Sequence, residues 1–288
     1  MSRFLALPSA RAGSVVLLAV LVLAVAGGQL APHDPLAQDP GIALRGPGLA
    51  HLLGTDYLGR DVLSRLLAGT GRTVVGAVEA VGVGLVLGVL PGLASLWGGR
   101  GVEWVLLRVV DALMTLPFIV FAVAVTGILG NSLTVAMLAI GVLLTPLFFR
   151  VTRAAALSLT RAQYVEAAEL FGASRGRILR THIWRKVVPT VAVTTAHAAG
   201  AALLAVSSLT FLGIGVEPPA PTWGGVLASD LGFLAQQPWA PLVPAALIML
   251  TVAALNALAD AVRDADSAGT ARDARRPVVA TRGERTHV

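Results

Sequence analysis

The sequence predicts an all-α integral membrane protein with six transmembrane helices. Of its 288 residues, 56% are hydrophobic and only 13% are charged, whereas a soluble domain carries about 25% charged residues. The apolar residues form blocks close to the ~20 residues that a helix needs to cross a bilayer. Arg and Lys are also distributed unevenly between alternate loops, which is typical of multi-pass proteins because their cytoplasmic loops collect positive charge.

Six apolar blocks each predict one span. They cover residues 13–30, 73–97, 104–129, 133–149, 190–213 and 242–258. The first block could alternatively be a cleaved signal peptide, since Arg3 and Arg11 precede it and Ala24-Val25-Ala26 resembles a cleavage site. We prefer a retained span, because an even number of spans fits the charge distribution better.

Small residues and prolines predict how the spans pack and bend. Gly84, Gly88 and Gly92 recur at every fourth position, which places them on one helix face and allows a neighbouring helix to approach closely. Pro117 and Pro146 are expected to bend their helices, which membrane proteins tolerate where neighbouring groups satisfy the freed carbonyls.

The charge distribution predicts that both termini lie in the cytoplasm. With the N-terminus inside, 18 of the 22 Arg and Lys residues fall on the cytoplasmic side of the membrane. The net charge of +6 then reflects topology rather than nucleic-acid binding, since no basic and aromatic surface remains outside the spans. The absence of cysteine excludes disulfides, zinc fingers and thiol nucleophiles.

The spans and loops predict three regions. Residues 1–72 hold the N-terminal cytoplasmic segment, the first span and an outer loop. Residues 73–260 form a core of five spans, with a long cytoplasmic loop at 150–189. Residues 261–288 form a cytoplasmic tail that is rich in Arg, lacks apolar periodicity and is expected to be disordered.

The long cytoplasmic loop predicts two short helices joined by a tight turn. Good helix formers fill residues 161–171, Gly172 can adopt the left-handed conformation that ends a helix, and Ser174 can cap a second helix that continues to Ile183. The residues alone leave two interpretations open. The hairpin could insert into a groove of another protein, or it could lie on the membrane with its arginines facing lipid phosphates.

A family resemblance favours the first interpretation. Glu166-Ala167-Ala168, followed after three residues by Gly172-Ala173-Ser174, resembles the EAA motif of permeases from ATP-binding-cassette (ABC) importers. The resemblance implies that these six residues couple the permease to an ATP-binding subunit. Arg185 stands where the family usually has a proline, so the local bend there is expected to differ.

A second string, in the outer loop, narrows the resemblance. Gly54 and Gly59 permit tight turns, Asp61 can cap a helix, and Arg60 can pair with Asp56 or Asp61. The string from His51 to Asp61 closely resembles the N-terminal signature of peptide and nickel importer permeases of the second type. Its signature residues are Gly54, Thr55, Asp56, Gly59, Arg60 and Asp61.

The second half of the chain agrees with this resemblance. The segments at 209–215, 218–219 and 222–224 are similar to the family's fifth span and the following loop, and the end of the sixth span is similar as well. Val206, Ala259 and Ser267 depart from the family's usual residues. Within that family, this chain is therefore expected to be a diverged member.

The resemblance implies a type I importer permease that forms a translocation pathway, with di- or oligopeptides as the expected substrates and nickel or another small solute as the alternative. The implied partners are a second related permease, giving a heterodimer, two ATPase subunits, an extracytoplasmic substrate-binding protein and membrane lipid, but no nucleic acid. The implied location is the bacterial inner membrane. A secondary carrier or a membrane anchor is the alternative of another class, and the lack of an evident internal repeat argues against the carrier.

ATP hydrolysis is expected to reside in the partners. The single lysine, Lys186, is flanked by Arg185 and Val187, so the chain has no phosphate-binding loop, which requires Gly-Lys followed by Ser or Thr. We therefore expect no enzyme activity and no cofactor bound by this chain, with ATP and Mg²⁺ held by the ATPase subunits.

Three ionisable residues fall inside predicted spans, where charges are costly and often functional. Asp111 is expected to pair with a neighbour such as Arg108. Glu79 and His197 could line a polar path, pair with each other or with a partner subunit, or bind a cation. We assign no metal site to them, because two residues do not make one.

Overall fold

The structure, a computed structural model, describes the main chain of residues 8–274 and the side chains of residues 10–264. These residues are mostly helical, which confirms the predicted fold class. In chain order the helices are α1 (Pro8–Leu30), α2 (Val62–Ala94), α3 (Gly99–Met114), α4 (Phe118–Leu129), α5 (Leu133–Thr160), α6 (Gln163–Leu170), α7 (Arg175–Ile178), α8 (Trp184–Phe211), α9 (Trp223–Leu231) and α10 (Trp239–Ala274).

Five stretches of the described chain are long and apolar enough to cross a membrane. They are Ala10–Leu30, Val62–Ala94, Leu133–Thr160, Arg175–Phe211 and Trp239–Asp264. Helices α3 and α4 pass the same test only as a pair. The prediction of six spans therefore holds if this bent pair counts as one of them.

The bend between α3 and α4 is much sharper than we predicted for a span over residues 104–129. The two helices meet at 93°, and Pro117 occupies the N-cap position of α4 with an extended main chain. Proline has no N–H to donate and disfavours helical geometry in Leu116 before it, so the helix stops and restarts in a new direction. Pro146, by contrast, lies inside the continuous helix α5.

Helices α2 and α5 form the centre of the bundle, and glycines allow their close approach. A Cβ atom added to Gly84 would lie 2.7 Å from the Cβ of Leu144, and one added to Gly88 would lie 2.4 Å from the Cβ of Phe148. Gly141 on α5 contacts α2 in the same way, since its added Cβ would lie 2.7 Å from the Ala80 carbonyl oxygen. The predicted packing face of α2 is confirmed.

Helix α1 packs as an integral part of this bundle. An added Cβ on Gly27 would lie 2.2 Å from the carbonyl oxygen of Leu67 on α2, and one on Gly13 would lie 3.0 Å from that of Ala254 on α10. Contacts this close on two sides favour the retained span over a cleaved signal peptide.

Several helices extend beyond their apolar blocks. Helix α2 begins at Val62 rather than Thr73, so the region boundary that we drew at residue 72 lies inside it. Helix α10 continues to Ala274, into the tail that we expected to be disordered, and residues 275–288 of that tail lie outside the described residues. Hydropathy marks the part of a helix that matches the bilayer, whereas the hydrogen-bonded helix can continue past it.

Two long segments lie together at one end of the bundle, which we call the loop end: residues 31–61 and residues 212–238. Tyr57 in the first segment stacks on Phe233 in the second, with ring centroids 5.4 Å apart. Helix α5 begins there, because Leu133 contacts Gly215, and its 28 residues span about 42 Å. Residues 161–183 follow its far end, which we call the hairpin end.

The α2–α5 contact gives a test with opposite signs for two glycines of one helix. Gly88→Ala should destabilise the protein by about 1–3 kcal/mol, because the new methyl group overlaps Phe148. Gly82→Ala should be neutral or stabilising by up to about 1 kcal/mol, since nothing lies within 4 Å of its added Cβ. Thermal unfolding of the purified variants in one detergent measures both effects, and equal effects at the two positions would contradict this packing.

Candidate functional site

The hairpin end carries the segment in which we predicted the coupling residues. Helix α6 ends where Gly172 adopts a φ of +79°, and the N–H of Ala173 donates to the carbonyl of Ala168 at 2.9 Å. The left-handed turn at Gly172 is therefore present as predicted. The predicted cap is wrong in its chemistry, because Ser174 occupies the N-cap position of α7 but its side chain makes no capping hydrogen bond.

The hairpin is anchored through its inner face. Val165, Ile178 and Ile183 are buried and belong to the main hydrophobic core of the bundle. A π-helical turn at Leu179–Ile183 joins α7 directly to α8. Arg185, where we expected a local bend different from that of the family, lies after this turn, in the first turn of α8. A movement of the hairpin would therefore be transmitted to α5 on one side and α8 on the other.

The tip of the hairpin is apolar and exposed. Leu170 is 89% exposed and Phe171 is 91% exposed, and Glu166 and Ala167 are exposed beside them. An exposed apolar tip with a polar rim marks an interaction surface for protein or membrane. Our sequence reasoning missed Leu170 and Phe171, although their position just before the turn glycine could have suggested them.

The loop end is organised by a buried ion pair. The Nε of Arg60 donates to the Oδ2 of Asp56 at 2.6 Å, and the Oδ1 of Asp56 accepts from the main-chain N–H groups of Leu58 and Arg60. The predicted pairing of Arg60 is thus confirmed, with Asp56 as the partner. The same loop requires glycine at position 59, where φ is +74° and an added Cβ would lie 1.8 Å from the Asp39 carbonyl oxygen.

Asp61 caps α2 as predicted. Its Oδ2 accepts from the main-chain N–H of Ser64 at 2.8 Å and from the Ser64 hydroxyl at 2.6 Å. Burial would raise the pKa of Asp61, but these bonds, together with His51 and the charge of His33, outweigh it and lower the pKa. Thr55 pairs with Asp61 through an isolated β-bridge, so the two halves of the signature string lie side by side. Gly54, in the same string, has a φ of +74°.

The two separate signature segments meet at the loop end. Trp223, the first residue of α9, is fully buried, and its indole N–H donates to the hydroxyl of Thr70 on α2 at 3.1 Å. Thr222 caps α9 by accepting from the N–H of Gly225. An added Cβ on Gly224 would lie 2.0 Å from the Ser207 carbonyl oxygen, so glycine lets α9 lie directly on α8.

Asp230 of α9 lies beside the ion pair of the outer loop. It is 2% exposed, and its Oδ2 has no hydrogen-bond partner among the described residues. Burial, followed by the charge of Asp56, raises the pKa of Asp230 to about 7, although Arg65 and Arg60 oppose the shift. Sequence reasoning missed this residue, because nothing in the sequence places it next to Asp56.

A cavity of about 650 Å³, lined by both polar and apolar residues, opens at the loop end and contains one of the two predicted pathway residues. Glu79 lines it, and the Oε1 of Glu79 accepts from the Thr134 hydroxyl at 3.3 Å. Arg72 and Glu217 also line it, and we had identified neither. His197 is not among the lining residues, and its Nδ1 lies 3.1 Å from the Val193 carbonyl oxygen. The structure therefore does not place Glu79 and His197 in one site.

The ionisable groups of α3 pair with α5. Asp111 is 2.8 Å from Arg150 and 3.7 Å from Arg108. The expected pairing with Arg108 is present, but the closer partner comes from another helix. Glu103 and Arg153 form a further ion pair between the same two helices. Two ion pairs therefore connect α3 to the half of α5 nearer the hairpin.

Comparison with known proteins identifies the family. The model described as "Binding-protein-dependent transport system inner membrane component" matches residues 84–267. The chain belongs to this family. A second model, described as the N-terminal TM domain of oligopeptide transport permease C, matches residues 1–47. The chain is therefore a permease component of an ABC importer and a multi-pass inner-membrane protein, and the resemblance drawn from its motifs is confirmed.

The relatives are transport permeases. A probable D,D-dipeptide transport system permease of Escherichia coli (strain K12) is 34% identical over 252 residues, covering 87% of this chain and 84% of the relative. The dipeptide transport system permease of Alkalihalophilus pseudofirmus is 32% identical, covering 88% and 83%. A glutathione transport system permease of Pectobacterium atrosepticum is 33% identical, covering 91% and 88%.

One solved structure is also similar. It shows inward-facing conformations of the MetNI methionine ABC transporter, at 19% sequence identity and a TM-score of 0.49, and the match covers 75% of this chain and 97% of the other.

The buried carboxyl group of Asp230 predicts a pH-dependent stability. A carboxyl group whose pKa is raised in the folded state binds a proton that the unfolded state releases, so the folded state should lose stability as pH rises from about 4 to about 7. The free energy of unfolding should fall by at most about 1.4 kcal/mol per pH unit. Thermal unfolding of the purified protein at a series of pH values from about 5 to about 8 measures this loss of stability.

The matched variants are Asp230→Asn, which should flatten this pH dependence, and Asp34→Asn, which should keep it because Asp34 is exposed at the same end. Identical pH profiles for wild type and Asp230→Asn would rule out Asp230 as the titrating group.

Proposed function

We propose that this chain and a second, related permease form the translocation pathway of an ABC importer for di- or oligopeptides. The observation that carries the proposal is the charged cavity at the loop end, in a family member whose relatives include permeases named for dipeptide transport. ATP and Mg²⁺ would be held by two separate ATPase subunits, and an extracytoplasmic binding protein would deliver the substrate.

The chemistry of the cavity suits a zwitterionic peptide. Glu79 and Glu217 offer negative charge to an ammonium group, and Arg72 offers positive charge to a carboxylate. A volume of about 650 Å³ lies within the usual range of about 300–1,000 Å³ for small-molecule sites. Side-chain recognition would contribute little in such a cavity, because its charged groups match features that all short peptides share.

The positive-inside rule supports an orientation with the hairpin end and both termini in the cytoplasm. Arg150, Arg153 and the basic residues from Arg161 to Lys186 then face the cytoplasm, whereas the loop end faces outward. This orientation would place the charged cavity where a binding protein delivers substrate and the exposed hairpin where an ATPase subunit can reach it.

The hairpin is the proposed docking element. The exposed apolar pair Leu170 and Phe171 would insert into the ATPase subunit, while Glu166 would meet its polar rim and Ala167 would permit a close approach. Closure of the ATPase subunits on ATP would move the hairpin, and its short connections to α5 and α8 would carry the movement into the spans. Gly172, Ala173 and Ser174 shape the turn that presents the tip.

Substituting the tip tests this proposal. The double variant Leu170→Asp and Phe171→Asp should lower recovery of the ATPase subunit with the tagged permease at least tenfold, since losing buried apolar anchors costs about 2 kcal/mol or more each. ATP-driven uptake of a radiolabelled dipeptide into proteoliposomes of the full complex should fall in parallel. The thermal unfolding temperature should stay unchanged, because both side chains are exposed.

The matched control is Leu49→Asp, at a fully exposed leucine of the loop end, which should leave ATPase recovery within about twofold of wild type, as expected of an exposed site outside the interface. Undiminished ATPase recovery with the double variant would remove the hairpin tip from the docking surface.

A further inference from the structure

Two histidines and one aspartate of the outer loop converge at the loop end. One potential ligand atom from each of His33, His51 and Asp61 lies within 4.8 Å of the other two. The Nδ1 of His51 is 2.9 Å from the Oδ1 of Asp61, and the Nδ1 of His33 is 3.8 Å from the same oxygen. The two imidazole rings are 4.6 Å apart and tilted by 32°.

We propose that His33, His51 and Asp61 form a binding site for a divalent transition-metal ion of the Zn²⁺ class. Two imidazoles and one carboxylate are a ligand set that suits zinc, which binds such groups at about 2.0–2.2 Å with three protein ligands and an open position. Ligand atoms around a tetrahedral Zn²⁺ lie about 3.3–3.6 Å apart on these bond lengths. The observed separations, 2.9 Å and 3.8 Å to Asp61 and at most 4.8 Å among all three donors, lie close to this range.

Hydrogen bonds from Ser64 orient the Asp61 carboxylate towards the histidines. The Oδ2 of Asp61 is occupied by the N–H and the hydroxyl of Ser64, which leaves Oδ1 facing both imidazoles. The Ser64 hydroxyl also accepts from the main-chain N–H of His33 at 3.0 Å. One serine thus holds the Asp61 carboxylate close to the main chain of His33, and such hydrogen bonds to a ligand help to orient it in metal sites.

Exposure provides a path of entry for the ion. The side chain of His33 is 43% exposed, that of His51 is 14% exposed and that of Asp61 is 2% exposed. An ion from the surrounding solution can therefore reach the buried carboxylate past His33, and its open coordination position would face solvent. All three residues lie outside the candidate membrane spans.

A bound ion would tie together the start, the middle and the end of the 31–61 loop. His33 follows α1, His51 lies in the middle of the loop, and Asp61 caps α2. The ion would therefore fix the loop that carries the buried Arg60–Asp56 pair, and metal binding would stabilise the folded loop end. This role does not depend on the proposed transport substrate.

Zinc binding to the full-length chain tests the proposal. The protein is purified with a tag free of histidine, stripped with a chelator and titrated with Zn²⁺ alone by isothermal calorimetry. We expect one Zn²⁺ per chain, with an affinity that falls at least tenfold in His33→Gln and in His51→Gln. The wild-type unfolding temperature should rise with Zn²⁺, and this rise should be lost in both variants.

The control is His182→Gln, at the hairpin end, which should bind Zn²⁺ as wild type does. Because His33 is exposed, His33→Gln is expected to fold normally and is sufficient by itself if His51→Gln fails to fold. The proposal is overturned if wild type binds no stoichiometric Zn²⁺, or if His33→Gln binds it with undiminished affinity.

Discussion

The close contact between α2 and α5 is the constraint on which the rest of the structure depends. In a bilayer, apolar surface gains little by leaving lipid for another helix, so association relies on close van der Waals packing. Gly84 and Gly88 of α2 and Gly141 of α5 provide it by letting each main chain reach the other. The same two helices connect the elements of the proposed function, because α2 starts at the outer loop and α5 ends beside the hairpin.

The two ends of the bundle differ in how completely their side chains are buried. At the loop end, four side chains beside the open, charged cavity are buried and hydrogen-bonded within the chain: Asp56, Arg60, Asp61 and Trp223. At the hairpin end, buried residues hold the base, but the apolar tip is left exposed. The first arrangement fits the proposed delivery of substrate at the loop end, and the second fits the proposed docking of an ATPase subunit at the hairpin end.

Local features of the structure were predictable from the sequence. The apolar blocks predicted the spans, Gly172 was recognisable as the end of a helix, and Asp61 was recognisable as a cap, because each depends on residues within one or two turns. Arg60 and Asp56 are four residues apart, so their ion pair could also be expected. The family resemblance rested on such short strings and was confirmed by the comparisons.

Features that depend on distant parts of the chain were not predictable. Arg150 pairs with Asp111, Asp230 lies beside Asp56, and Arg72 shares a cavity with Glu217, each through packing between segments far apart in sequence. Pro117 marks a break in the sequence of helices but does not give its angle of 93°. The grouping of His33, His51 and Asp61 requires the fold of a whole loop, which hydropathy and motifs do not describe.

The orientation of the two ends is the central claim, because a hairpin on the outer side could not meet an ATPase in the cytoplasm. The chain has no cysteine, so single cysteines introduced at Leu49 and at Phe171 can be labelled in cells with a membrane-impermeant thiol reagent. We predict labelling of Leu49→Cys from outside intact spheroplasts, and of Phe171→Cys only in inside-out vesicles. The reverse pattern would contradict the orientation, and with it the proposed docking of the hairpin.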